Sequence, residues 1–167
     1  MKRWICGVAI LVLVGCSTVP SVPTRPQTQA ATIRTSGGPF SAQYSGNYSL
    51  KECSQTGTGR FNFNGSGSGS FIHGSTEIGN MTGNLSFRIC NWKGRAELIS
   101  SLHPRNSIVV LLDTTGFNQG PCGVQHSFEV TSGTGRFAHA MGNGTVAFMC
   151  KPSKGTYTDQ WSGTVSF

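Results

Sequence analysis

The feature that most constrains the fold is the alternation of aromatic and β-branched residues with small polar ones in short, glycine-rich segments. The chain holds 23 glycines in 167 residues, and only 11% of its residues are charged. From Pro39 onward the apolar positions recur with the period of a half-buried strand. We find no amphipathic helical period after residue 38. The sequence therefore predicts an all-β domain with many tight turns.

Closure into a barrel is the simplest way to pair all of the predicted strands. Eight antiparallel strands in about 130 residues fit a closed barrel better than an open sheet, because closure leaves no exposed edge. A two-sheet sandwich is the main alternative. The predicted strands lie near residues 47–53, 60–72, 84–90, 95–102, 107–113, 124–131, 136–149 and 156–167.

A short internal repeat lies in this domain. Thr56-Gly-Thr-Gly-Arg-Phe61 recurs as Ser132-Gly-Thr-Gly-Arg-Phe137, and downstream glycine and phenylalanine positions correspond at an offset one residue longer. The repeat predicts two similar hairpin-and-strand units, with a β-bulge accommodating the extra residue. Arg60 and Arg136 follow the turn in each copy, and we expect both to fold back over strand ends.

The second copy of the repeat predicts a specific hairpin register. A loop over residues 132–135 gives its glycines the positive φ that a tight turn needs. The strands would then pair so that one face is apolar and points inward. The expected pairs are Val130 with Phe137, Phe128 with His139, and His126 with Met141.

The six cysteines divide into two groups. Two precede residue 17, and four lie in the predicted β domain: Cys53, Cys90, Cys122 and Cys150. An even number of cysteines in an exported domain indicates disulfides, and these four lack the close spacing of a zinc site. Four cysteines allow three pairings. The predicted hairpin places Cys122 and Cys150 at one end, which favours Cys122–Cys150 and, by default, Cys53–Cys90.

The N-terminus has the organisation of a secretory signal. Lys2 and Arg3 precede an apolar stretch that is too short to span a bilayer but suits a signal peptide. Its end, Leu13-Val14-Gly15-Cys16, resembles the lipobox of bacterial lipoproteins. The resemblance implies that residues 1–15 are removed, that Cys16 carries the lipid, and that Ser17 permits sorting to the outer membrane if the host is Gram-negative. An ordinary cleaved signal with a coincidental cysteine is the alternative.

A tether is predicted between the lipidated residue and the barrel. Pro20, Pro23 and Pro26 recur every third residue among Ser, Thr, Val and Gln, which favours extended, poorly packed chain. The predicted organisation is a signal peptide over 1–15, a lipidated N-terminus and flexible tether over 16–38, and a β-barrel domain over 39–167.

The charge of the mature chain is modest. Loss of Lys2 and Arg3 leaves 11 basic residues of 13 against 6 acidic ones, a net charge of +5. These basic residues stand singly or in loose pairs, whereas nucleic-acid binders present a dense basic stripe. We therefore expect no nucleic-acid partner.

Two segments resemble a known barrel family. The segment 128–145 carries a Gly-Thr-Gly-Arg-Phe hairpin, and the segment 155–167 carries a Trp-Ser-Gly-Thr terminal strand. Both are similar to the bacterial small-barrel proteins related to allene oxide cyclases. The resemblance covers 124–167 well and 53–72 more weakly, and it implies an eight-stranded, up-and-down barrel of the calycin type. It assigns no catalytic residue, because the plant cyclase residues have no counterparts that can be placed on this sequence.

Inward-facing aromatic and histidine residues are the candidate lining of the barrel. His126 and His139 would be neighbours in the predicted hairpin, but a zinc site needs further donors. Asp159 would pair near residue 147, about 26 Å along the strand from His139. We therefore expect no metal and no cofactor, and no nucleophile or paired carboxylates indicate a catalytic residue. The candidate lining residues are Phe61, Phe63, His126, Phe128, Phe137, His139, Tyr157 and Trp161.

These observations predict a lipid-anchored, non-enzymatic barrel of the cell envelope. Its partners would be the membrane, through the lipid, and either a small apolar ligand or an envelope protein. One alternative is an isomerase or cyclase acting on a hydrophobic substrate. Another is an inhibitor of an envelope enzyme that inserts a loop such as Thr114 to Cys122.

Overall fold

A computed structural model describes residues 36–53, 58–86, 89–114 and 120–167. Cys16, the predicted signal peptide and the predicted tether up to residue 35 lie outside the described residues. So do residues 115–119 of the loop considered for an inhibitor. No helix in the described part of the chain is long and apolar enough to cross a membrane.

The fold is a closed barrel of eight antiparallel strands, which confirms the predicted all-β class. Each strand pairs with the next in sequence, and the last pairs with the first. Two short 3-10 turns, Gly135–Phe137 and Pro152–Lys154, precede the last two strands. The strands are β1 (Gly37–Lys51), β2 (Gly59–Gly69), β3 (His73–Ser86), β4 (Ile89–Ser100), β5 (Ser107–Thr114), β6 (Gln125–Thr134), β7 (Met141–Lys151) and β8 (Thr156–Ser166).

The prediction missed most of β3. It placed a strand at 84–90, whereas β3 occupies His73–Ser86 and β4 begins at Ile89. Glycine weakens the sequence signal of a strand, and β3 contains three. Two of them, Gly79 and Gly83, face the interior, where neighbouring side chains need the space. A Cβ at Gly79 would overlap the ring of Phe63.

The predicted hairpin register is wrong. Phe128 pairs with Gly144 instead of His139, and His126 pairs with Val146 instead of Met141. The connection is longer than a tight turn because Phe137 packs across the end of the barrel, where its ring lies 4.8 Å from that of Phe167.

The two copies of the repeat also differ in structure. Gly59, Arg60 and Phe61 lie within β2, whereas Gly135–Phe137 forms a 3-10 turn. The extra residue predicted in the second copy falls in this turn region, and the irregularity in register lies between β5 and β6. The sequence repeat is therefore not a structural one.

The barrel has two different ends. The disulfide end is where β1, β3, β5 and β7 end and where β2, β4, β6 and β8 begin. The entry end is where the chain enters at Ser36. There the backbones of Ser36 and Phe167 exchange two hydrogen bonds of 2.8 and 2.7 Å. Arg136 lies over the rings of Phe137 and Phe167 and donates to the carbonyl of Phe71, so it folds over the strand ends as predicted.

Candidate functional site in the barrel interior

Two carboxyl groups lie inside the barrel. Glu77 on β3 and Asp159 on β8 are both fully buried, each with 0% exposure. The two strands are not neighbours in the sheet, so the side chains meet across the interior. Burial of a charged group is costly unless it is paired or neutralised, and this pair is the most unusual feature of the interior.

Tyrosines contribute hydrogen bonds to each carboxyl group. The Tyr157 hydroxyl donates to Glu77 Oε2 at 2.7 Å. The backbone N–H of Tyr44 donates to Asp159 Oδ1 at 3.0 Å. The Tyr44 hydroxyl is itself 2.7 Å from Ser75 Oγ. The network therefore links β1, β3 and β8 through their inward-facing side chains.

Three buried polar atoms of this cluster have no hydrogen-bond partner among the described residues. They are Glu77 Oε1, Asp159 Oδ2 and Trp161 Nε1. The Trp161 indole is close enough to both carboxyl groups to lower their pKa, but its N–H makes no hydrogen bond of normal geometry with the described residues. Buried polar atoms are nearly always paired, so these atoms indicate an occupant or a proton that completes the cluster.

Burial controls the protonation of the carboxyl pair. It raises the pKa of Glu77 well above the ordinary value, and the neighbouring Asp159 raises it further. Burial also raises the pKa of Asp159, to about 6, although the neighbouring Glu77 and the hydrogen bond from the Tyr44 N–H oppose the increase. Burial likewise raises the pKa of Tyr44 and Tyr157, so both hydroxyls stay neutral. Burial of two neighbouring carboxyl groups therefore favours a cluster with at most one negative charge.

Aromatic rings fill the space around this cluster. Phe63 packs against both Tyr157 and Phe148, with ring centroids 5.8 and 4.9 Å away. Phe128 packs on Trp161 at 5.1 Å. Seven of the eight predicted lining residues are buried in the core: Phe61, Phe63, His126, Phe128, Phe137, Tyr157 and Trp161.

His139 is the exception among the predicted lining residues. It is exposed in the connection before β7, at the entry end, because the hairpin register differs from the predicted one. His126 is buried near the disulfide end, so the two histidines do not meet. Among the described residues no group of three or more His, Cys, Asp or Glu side chains could hold a metal ion.

His126 has a structural partner. Its Nε2–H donates to the carbonyl of Pro121 at 2.8 Å. Burial lowers the pKa of this histidine, which keeps the ring neutral. The contact holds the backbone next to Cys122 against the end of the barrel.

The predicted disulfides are confirmed. Cys53 pairs with Cys90 and Cys122 with Cys150, with Cα atoms 6.2 and 5.5 Å apart. Both lie at the disulfide end. The second pairing does not need the predicted hairpin, because the backbone bridge between Cys122 and Phe148 brings the two cysteines together.

Sequence reasoning missed half of the carboxyl pair. The expected position of Asp159, near residue 147, agrees with its observed pairing to Phe148. Glu77 is missed because the strand that carries it is not predicted. The available signal was its alternation with Ser75, Gly79 and Met81, which places it on the inward face of β3.

A groove of about 1070 Å³ crosses the outer surface of the barrel from β4 to β8 and β1. Two large apolar side chains stand exposed in it, Leu111 at 49% and Met141 at 64%. Lys93 Nζ and Asp113 Oδ2 form an ion pair of 2.8 Å at one side of the groove. Glu129 also lines the groove. We refer to this feature as the outer groove.

Comparison with protein-family models, with curated proteins and with solved structures finds no match to this chain. The resemblance to the allene oxide cyclase-related barrels is carried by the two motif segments and stays a prediction.

Proposed function

We propose that the protein is a lipid-anchored barrel of the cell envelope that binds a protein partner at its outer groove and catalyses no reaction. The observation that carries the placement in the cell envelope is the pairing of all four cysteines of the barrel in two disulfides. Disulfides persist in exported proteins. Cys16 is not required by this framework, and it ends the lipobox-like segment Leu13–Cys16.

The polar outward face of the barrel favours attachment through a lipid anchor over a barrel that spans the membrane. Outward positions of β1 and β2 carry hydroxyl and amide side chains such as Gln43, Ser45 and Asn64. Lipid-facing positions of a membrane barrel form an apolar band instead.

The filled interior favours a partner outside the barrel over an apolar ligand inside it. An eight-stranded barrel has room either for packed side chains or for one small ligand. Here rings such as Phe61, Phe63 and Phe148 contact one another in the interior. The outer groove presents exposed apolar side chains beside charged ones, which is the composition of a protein–protein interface.

The anchor is tested by the intact mass of protein from the host membrane fraction. We expect a mature N-terminus at Cys16 carrying a lipid adduct. Cys16→Ser removes the adduct, and Cys6→Ser, in the cleaved segment, leaves the mature mass unchanged. An N-terminus elsewhere, or an unmodified Cys16, would contradict the anchor.

The partner is tested by native mass spectrometry of the protein purified from its host in mild detergent. We expect a stoichiometric protein in the wild-type complex that is lost in Met141→Glu. Met149→Glu is the matched control, because Met149 lies on the same strand, is 49% exposed and does not line the groove. Equal loss in both variants, or no bound protein, argues against the outer groove.

The carboxyl pair favours one second candidate, an isomerase or cyclase acting on a hydrophobic substrate. Glu77, Asp159 and Tyr157 would supply acid and base groups amid aromatic rings. A substrate would need the barrel to open, since both carboxyl groups have 0% exposure. A small apolar molecule retained in the same native spectra, and lost in Glu77→Gln, would favour this candidate.

A further inference from the structure

We propose that Glu77 and Asp159 form a proton-binding site, in which one proton shared between Glu77 Oε1 and Asp159 Oδ2 joins β3 to β8 across the interior and keeps the barrel closed. The site is independent of the lipid anchor and of the outer groove. It involves no residue that lines that groove.

The unpartnered atoms of the pair carry this inference. The other oxygens already accept hydrogen bonds, from the Tyr157 hydroxyl and the Tyr44 N–H. The two side chains lie within hydrogen-bonding reach of each other. If both were ionised, Glu77 Oε1 and Asp159 Oδ2 would be two buried acceptors without a donor. A single proton between them supplies the donor and satisfies both atoms.

The surrounding groups offer no alternative compensation for a second negative charge. The titratable groups that face the pair are Tyr44 from β1 and Tyr157 from β8, and burial keeps both neutral. Ser75 and Trp161 add neutral dipoles. No Lys, Arg or His side chain in the described part of the chain acts on either carboxyl group.

Loss of the shared proton would therefore weaken the closed barrel. The folded state holds protons on this pair more tightly than the unfolded chain does, so the contribution to stability is complete at low pH. Asp159 ionises first, with a pKa of about 6, and this leaves the shared proton in place. The contribution is lost at the second ionisation, at the raised pKa of Glu77, which removes that proton. The repulsion then acts between β3 and β8, and β8 is the strand that closes the barrel against β1.

The test is the thermal unfolding midpoint of the full chain between pH 7 and pH 9, a range in which buried His126 is neutral throughout. We expect the wild-type midpoint to fall by roughly 5–10 °C across this range. Glu77→Gln should lose at least half of this dependence, because its amide accepts from Tyr157 and donates permanently to Asp159. Glu129→Gln, an exposed carboxyl on β6, should keep the wild-type dependence.

Infrared spectroscopy of the wild-type protein tests the proton directly and needs no variant to fold. We expect the absorption of one protonated carboxyl group per molecule at pH 7, disappearing as the pH rises. Absence of this band at pH 7, or a midpoint that does not change between pH 7 and pH 9, would overturn the proposal. So would an identical pH dependence in the wild type and Glu77→Gln.

Discussion

At the scale of single residues, glycine makes room for the rings that fill this barrel. Interior positions of small barrels are filled by alternating large and small residues. A Cβ at Gly59 would overlap the indole of Trp92, and one at Gly144 would come within 2.7 Å of the Phe128 ring. The high glycine content that first indicated turns thus also serves the core.

Gly79→Ala should destabilise the barrel. The new methyl group would overlap the Phe63 ring, and overpacking of a core costs about 1–3 kcal/mol. Gly74→Ala on the same strand is the control, since a Cβ there meets nothing within 4 Å. Urea unfolding of the two variants measures the difference. Equal stability of both would mean that the interior is looser than the ring contacts indicate.

At the scale of single residues, the buried rings could be predicted and the buried carboxyl pair could not. The inward position of Phe61, Phe128 and Trp161 could be predicted because alternation alone decides which face a ring takes. The carboxyl pair could not, because Glu77 and Asp159 become neighbours only when β3 and β8 meet across a closed barrel. The local sequence around either residue does not indicate that the two lie close together in the fold.

At the scale of elements, the Gly-Arg-Phe part of the repeat folds differently in its two copies. Gly59, Arg60 and Phe61 belong to β2, with Arg60 exposed, whereas Gly135–Phe137 forms a 3-10 turn. The phenylalanine of each copy has a different packing partner, and this determines the local structure. Phe137 packs on the Phe167 ring, whereas Phe61 packs on Phe148. This is why the repeat predicted the wrong register for the second hairpin.

Arg136→Ala should therefore cost more stability than Arg60→Ala. Arg136 lies 4.6 Å from the Phe137 ring centre and donates to the Phe71 carbonyl. We expect a loss of about 1–2 kcal/mol for Arg136→Ala from the ring and hydrogen-bond contacts together. Arg60→Ala should stay within about 0.5 kcal/mol, as exposed substitutions usually do. Chemical denaturation of both variants decides whether the equivalent motif positions differ as the fold requires.

The disulfide end gives a second test of an element. Replacing Cys122 and Cys150 together by Ser removes a bridge that spans 28 residues. The expected loss is about 2–4 kcal/mol, measured by urea unfolding against the wild type. The His126–Pro121 hydrogen bond should weaken as well, since Pro121 adjoins Cys122. An unchanged unfolding midpoint would show that this end is held by its backbone bridge alone.

At the scale of the whole molecule, strand number and closure could be predicted, whereas strand register could not. The continuous apolar run Ile108–Leu112 predicts the strand at 107–113, which is β5, and the turn-forming residues Pro104 and Asn106 separate it from β4. Register depends on which rings meet in the interior. In the Phe128–Gly144 pair, the ring on β6 occupies the space that the glycine leaves on β7. The sequence of a single segment does not reveal this match.

Barrel closure makes a prediction about folding rate. The final pairing joins residues from opposite ends of the domain, from Gly37 with Ser166 to Asn47 with Thr156. Chains dominated by such non-local pairs fold in about milliseconds to seconds. Stopped-flow fluorescence of the buried Trp92 and Trp161, with disulfides intact, should show refolding in this range. Folding within microseconds would contradict this prediction. It would mean that the β1–β8 pairing forms after the rate-limiting step, so that closure does not control the folding rate.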